Sequence, residues 1–280
     1  MRIAGFAAIL MLLQAPAAPV SYEAYAVRFG VLPAFPVSSL VVGADRERRL
    51  DIPVMVWLLK GSNGRNVLID SGFYRQKFLD QWKPRDFRSP ASAVEAAGVK
   101  ADAITDVVIS HAHWDHVDGA DLFPKATIWI QREEYEYYTG EAWHARDTHG
   151  GVDPDDMIAL LKINTEGRLR FVDGDDKEVV SGIRCYTGGK HTRESQYCSV
   201  RLTGGGTAVF TSDNVYLYEN LDKRSPIAQT VGGDQGRASN LKAQDRVKAL
   251  ASDPKLIVPG HDPAVFERFE RIADGVVRIK

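Results

Sequence analysis

Apolar residues in this chain gather in short β-branched and aromatic runs set off by Gly, Pro and Asn turns, with helical spacing between them. Val54-Met55-Val56-Trp57-Leu58-Leu59 predicts a buried strand. Gly61-Ser62-Asn63-Gly64 is a turn signal, and Asn66 to Asp70 pairs back as a hairpin. Phe73 to Pro90 reads as irregular, broken by Pro84 and Pro90. Ala91 to Ala97 predicts a helix, with Ser89 as cap and Gly98 as stop. Ile104 to Ser110 and Ala126 to Ile130 follow as strands, then helices over Arg132 to Tyr138 and Asp155 to Leu161. Leu169 to Val172, Glu178 to Tyr186, Gln196 to Leu202 and Thr207 to Thr211 read as successive strands. Leu241, Val247 and Leu250 mark a helix over Ser239 to Ala251, and Leu256-Ile257-Val258 is a last core strand. Hairpins followed by mixed strands and helices predict an α/β fold of two face-packed sheets with helices outside. No Pro/Gly/Ser linker divides the chain after residue 21, so 21–280 is expected to be one domain.

The N-terminus has its own character. Met1-Arg2 carries a positive charge, Ile3 to Leu13 is almost wholly apolar, and Ala15-Pro16-Ala17 offers an A-x-A pattern. That order predicts a secretory signal peptide over residues 1–20, cleaved near Ala17 or Ala18, and a periplasmic or secreted mature chain. The other reading is a buried N-terminal helix. The apolar run is too short to span a bilayer comfortably, and no Cys follows it, so no stable membrane anchor is expected after cleavage. The formal net charge is −2 with no long basic stretch, which argues against a nucleic-acid partner. The only cysteines, Cys185 and Cys198, fall on neighbouring strands; they either form a disulfide across a hairpin or pack as two small apolar residues.

Chemistry concentrates in His111-Ala112-His113-Trp114-Asp115-His116, directly after a β-branched run. Three crowded imidazoles would repel one another as cations, and metal binding keeps them neutral. Nitrogen and carboxylate donors suit zinc and similar ions. A strand-to-loop corner turns His111 and His113 toward one ion, and the next turn offers Asp115 and His116 to a second. Two ions about 3.5–4 Å apart fit a hydrolytic site. His191, Asp213 and His261 each follow a predicted strand and are the candidates to complete the set.

The six-residue run resembles the H-x-H-x-D-H signature of the metallo-β-lactamase superfamily, and the similarity extends from about Pro53 to His261. Val67-Leu68-Ile69-Asp70-Ser71-Gly72, Gly189-Lys190-His191-Thr192, Thr211-Ser212-Asp213 and Pro259-Gly260-His261 resemble its other motifs. Within the superfamily, Ile109 to Tyr138, Asp213-Asn214-Val215-Tyr216 and Gly260-His261-Asp262 are similar to the quorum-quenching N-acyl homoserine lactonases. The chain departs from them at Ser195, where a further histidine would stand, and in a longer connection from His116 to His191.

The resemblance implies an αββα four-layer sandwich. It implies two divalent ions, zinc by ligand type: His111, His113 and His191 on one, Asp115, His116 and His261 on the other, Asp213 between. Asp70 would either steady the ligands by hydrogen bonds or cap a turn. The implied reaction is attack on a lactone carbonyl by a hydroxide bridging the ions, with Tyr216 stabilising the oxyanion and Asp115 relaying a proton to the leaving alkoxide. Trp114 would wall the pocket or pack inside; His144 and His149 sit in a loop, solvated or as part of a cover. The expected partner is a small-molecule substrate, and a homodimer stays open. A β-lactamase, arylesterase, thioesterase or phosphodiesterase of the same fold is the alternative, and a non-catalytic metal-binding protein is the third reading.

Overall fold

Two β-sheets lie face to face in the computed structural model, which describes residues 18–144 and 149–280. In chain order the strands are β1 (Tyr22–Pro36), β2 (Arg49–Gly61), β3 (Asn66–Ile69), β4 (Asp106–Val108), β5 (Thr127–Gln131), β6 (Leu169–Val172), β7 (Lys177–Val180), β8 (Ile183–Tyr186), β9 (Tyr197–Arg201), β10 (Thr207–Ser212), β11 (Ile257–Pro259), β12 (Glu270–Ala273) and β13 (Val276–Arg278). The helices are α1 (Gln76–Trp82), α2 (Pro90–Ala96), α3 (Trp114–Val117), α4 (Arg132–Thr139), α5 (Pro154–Thr165), α6 (Tyr218–Asp222), α7 (Gly233–Leu250) and α8 (Val265–Arg268). The larger sheet has eight strands in the order β12-β13-β1-β2-β3-β4-β5-β6, and the smaller has five in the order β11-β10-β9-β8-β7.

Three apolar layers hold these parts together. Phe78 of α1, Val94 of α2, Tyr135 of α4 and Leu160 of α5 share a core with Val56, Leu68, Val107 and Ile128 of the larger sheet. Between the sheets, Trp57, Ile69 and Val108 meet Cys185, Phe210 and Val258. On the far side, Ala243 and Val247 of α7 cover Val209 and Ile257. Helices, sheet, sheet and helix therefore stack as the expected αββα sandwich. Cys185 and Cys198 face each other across β8 and β9 and are joined as a disulfide.

Several elements differ from the sequence reading for identifiable reasons. β1 runs 15 residues where no strand pattern is evident. Tyr25, Val27 and Phe29 enter one core while Ala24 and Ala26 enter the other, so the strand is buried on both faces and lacks alternation. α1 forms inside the stretch read as irregular, because Phe78 and Trp82 stack on Trp114, with ring centroids 4.9 and 5.2 Å away. The run Glu178 to Tyr186 is two strands, split where Gly182 takes a left-handed φ of 83°. α7 begins at Gly233, six residues before the predicted start at Ser239. The expected signal peptide lies almost wholly within residues 1–17, outside the described residues. Among the described residues, no helix is long and apolar enough to cross a membrane.

Trp57 is fully buried between the sheets, its ring centroid 6.0 Å from that of Phe210. Trp57→Ala is expected to lower unfolding free energy by about 3–5 kcal/mol, read from denaturant melts. A loss below about 1 kcal/mol would mean that the inter-sheet layer collapses around the gap.

Candidate metal centre

The site sits where strand ends from both sheets meet. β3 and β4 are parallel; β3 ends at Ile69, immediately before Asp70, and β4 at Val108, three residues before His111. β10 and β11 are also parallel and end beside Asp213 and His261. β8 runs with β10, because both pair antiparallel with β9, and it delivers the loop carrying His191 to the same edge. α3 starts immediately after His113 and turns Asp115 and His116 inward, while Trp114 enters the aromatic stack beside α1. Gly260 permits the close approach of β11 to β10: a Cβ there would lie 2.8 Å from Asp213 Oδ1 and from the Ser212 carbonyl.

All seven sequence candidates converge, in two groups: His111, His113, His191 and Asp213, then Asp115, His116 and His261. Asp213 faces both groups. Its Oδ2 lies 3.3 Å from His191 Nε2 and 3.7 Å from His111 Nε2. Its Oδ1 lies 3.0 Å from His261 Nε2 and 3.3 Å from His116 Nε2. Asp115 Oδ2 is 3.4 Å from His116 Nε2 and 3.6 Å from His261 Nε2. His113 Nδ1 and His191 Nε2 approach to 2.8 Å.

The outward ring nitrogens are tied down. His261 Nδ1–H donates to the Pro53 carbonyl at 2.9 Å, and His191 Nδ1–H to the Gln229 carbonyl at 3.2 Å. His116 Nδ1 bonds Asp70 Oδ2 at 2.8 Å, and His111 Nδ1 bonds Ser110 Oγ at 2.9 Å. Each bond orients its ring and leaves Nε2 facing inward. Asp70 also accepts from the Ser110 N–H and from Ser212 Oγ, at 2.7 and 3.1 Å. It therefore does more than cap a turn. Asp70 and Ser212 both adopt left-handed φ, 61° and 45°, a conformation that concentrates at functional sites.

Electrostatics follow the two groups. Burial, reinforced by neighbouring imidazoles, holds His111 well below its usual pKa and His113 down to about 3, so both are neutral near pH 7. Burial opposes charge on His116 and His261 too, but Asp115 and Asp213 outweigh it and raise both. The same partners lower Asp213 and Asp115 against the opposing effect of burial. His111 Nε2, His116 Nε2 and Asp213 Oδ1 are buried with no hydrogen-bond partner. Buried polar atoms are normally satisfied, and inward-facing nitrogen and oxygen donors of this kind suit divalent cations.

A cavity of about 350 Å³ opens beside the cluster. Asp115, Asp213, His113 and His261 line its floor, Tyr216 one side, and Leu32, Phe35, Ile52, Trp82 and Trp114 an apolar wall. Trp114 thus both packs and lines the pocket. The Tyr216 hydroxyl is 3.4 Å from both ring nitrogens of His191; burial first, then Asp213 and Asp115, keep it protonated well above its usual range. His144 is exposed, and His149 stacks on Trp143 at 4.5 Å, so neither joins the cluster; Gly150 and Gly151 nonetheless line the cavity. Ser195 accepts the His191 N–H at 3.1 Å and donates to Asn214 Oδ1 at 3.0 Å, a purely supporting role.

Sequence reasoning missed the supports. The Pro53 and Gln229 carbonyls are main chain, so no residue identity marks them. Ser110 and Ser212 look like ordinary strand-end serines. Glu134, fully buried in α4, accepts from the Ala112 N–H, the Thr192 hydroxyl and the Glu194 N–H, yet no pattern separates it from Glu133 and Glu136.

Asp70→Asn would set an amide against the His116 Nδ1–H or the Ser110 N–H. Chelator competition is expected to show divalent-cation affinity reduced about 10–100-fold. Unchanged affinity would reduce Asp70 to a strand-end brace.

The family model of the metallo-beta-lactamase superfamily matches residues 50–261. The N-acyl homoserine lactonase AttM of Azorhizobium caulinodans is 26% identical over 247 residues, covering 82% of this chain and 88% of that protein. The structure of a mutant AiiA from Bacillus thuringiensis, with N-decanoyl-L-homoserine at its active site, superposes with a TM-score of 0.71 at 20% identity, over 91% of this chain and 98% of that one. AidC, described as a dizinc quorum-quenching lactonase, superposes with a TM-score of 0.64 at 16% identity, over 94% and 95%. These structural likenesses establish a shared fold.

Proposed function

Because this chain belongs to the metallo-beta-lactamase superfamily, we propose that it is a metal-dependent lactonase, hydrolysing N-acyl homoserine lactones and so quenching quorum signals. The observation that carries the reading is Asp213, one oxygen toward each imidazole group, at the floor of a cavity that Tyr216 also lines. The relatedness to N-acyl homoserine lactonases supports the substrate.

His111, His113 and His191 would hold one divalent ion and Asp115, His116 and His261 the other, with Asp213 between. Zinc is the ion that this donor set suits. Such a pair supplies Lewis-acid activation of water and of an ester carbonyl. The chain's own residues do the rest. Tyr216, kept protonated, donates to the carbonyl oxygen as negative charge develops there. Asp115, at the cavity floor, takes the proton released by the attacking water and passes it to the leaving alkoxide. Leu32, Phe35, Ile52 and Trp82 provide apolar surface for an acyl chain. Among the described lining residues none is Lys or Arg, which favours an uncharged substrate over a β-lactam carboxylate or a phosphodiester. The Cys185–Cys198 disulfide supports a periplasmic or secreted location.

Purified protein is expected to carry close to two equivalents of transition metal by elemental analysis and to release acid from N-acyl homoserine lactones, with His113→Ala silent. Rapid nitrocefin turnover without lactone turnover would move the assignment to a β-lactamase. Tyr216→Phe should lower kcat about 100-fold with little change in KM; an unchanged kcat would make the hydroxyl a packing element.

A further inference from the structure

Two buried carboxylates brace the metal centre, and Asp70 reaches both halves, His111 through Ser110 Oγ. Asp70 bonds the His116 ring directly. The outer nitrogen of the His191 ring meets the Gln229 carbonyl, and its inner one faces Asp213, yet one further buried group fastens the chain around His113 and His191. Glu134 Oε1 accepts the Ala112 N–H at 2.9 Å and the Thr192 hydroxyl at 2.7 Å; Oε2 accepts the Glu194 N–H at 2.7 Å. Ala112 stands between His111 and His113, and Thr192 follows His191. Two of the three bonds thus fall one residue from a member of the three-histidine group, and the third secures the same loop. Tyr135 and Tyr138 anchor α4 in the helix-side core, so Glu134 is a fixed post joining segments about 80 residues apart. Its neighbours offer two amide N–H groups and a hydroxyl, an array that matches a carboxylate and leaves no place for a second amide donor.

We propose that Glu134 is the positioning residue of the three-histidine half of the centre, setting the spacing of His111 and His113 against His191, whereas Asp70 acts directly on His116 and on His111 only through Ser110. This rests on the metal-dependent reading above. It predicts an asymmetry: loss of the Glu134 bonds weakens one ion and spares the other.

The test is stepwise release of zinc from fully loaded protein to a chelating dye, comparing wild type, Glu134→Gln and the exposed control Glu133→Gln. Glutamine keeps the shape but sets an NH₂ against at least one of the donors. Wild type and the control should release two equivalents along the same curve. Glu134→Gln should release one equivalent at about 10-fold lower dye concentration and hold the other as wild type does. Thr192→Val, which removes only the hydroxyl donor, should shift the same equivalent by less, and it supplies the measurement if Glu134→Gln does not fold. Unchanged curves for both variants overturn the proposal. So does an equal weakening of both equivalents accompanied by a lower melting temperature of the metal-free protein, since that marks a general packing role. Wild-type protein that holds no zinc refutes the metal-dependent reading itself, an outcome distinct from either.

Discussion

Crowding five imidazoles and the carboxylates of Asp70, Asp115 and Asp213 together, with only His113 and Asp115 partly exposed, is the constraint on which the rest of this architecture turns. Unbalanced charge in such a place is very costly, and an unsatisfied lone pair adds a smaller cost of its own. The protein answers by sorting the groups. His111 and His113 are kept neutral by burial, whereas His116 and His261 stand against carboxylates. Asp213 lies on the boundary and faces both. Strand ends from two sheets, left-handed backbone at Asp70 and Ser212, and the missing side chain at Gly260 all serve that arrangement.

What the sequence revealed and what it hid divide along a physical line. His111 to His116 are legible because their chemistry is crowded into one short run. His191, Asp213 and His261 are distant in the chain but legible as strand-end residues within family-like motifs. The sandwich itself follows from the hairpin and strand pattern together with the resemblance. β1 escapes notice because a strand buried on both faces has no alternation to display. α1 forms only because Trp114 offers Phe78 and Trp82 a surface to stack on. The start of α7 is masked by Gly232, Gly233 and Gly236, which read as loop.

The supporting shell was the least legible part, and it decides how well the site is held. Main-chain carbonyls at Pro53 and Gln229 carry no side-chain signature, and Glu134 differs from its exposed neighbours only in where α4 turns it. Such groups act through contact between remote segments, so a linear reading has no local pattern to follow. The apolar wall has the same character: Phe35 on β1 and Trp82 on α1 stack at 6.1 Å although nearly fifty residues separate them.

The candidate ligands are shared between layers: His111 and His113 extend from the larger sheet, His191, Asp213 and His261 from the smaller. Cations seated among them would work as rivets through the seam of the sandwich. The native state would then be linked to free metal by mass action, and its resistance to heat would rise with the ambient supply of the ion. Stripped of that fastening, the two sheets would keep their apolar glue but part first at this edge, so the rim that performs chemistry is also the rim along which the fold would begin to open.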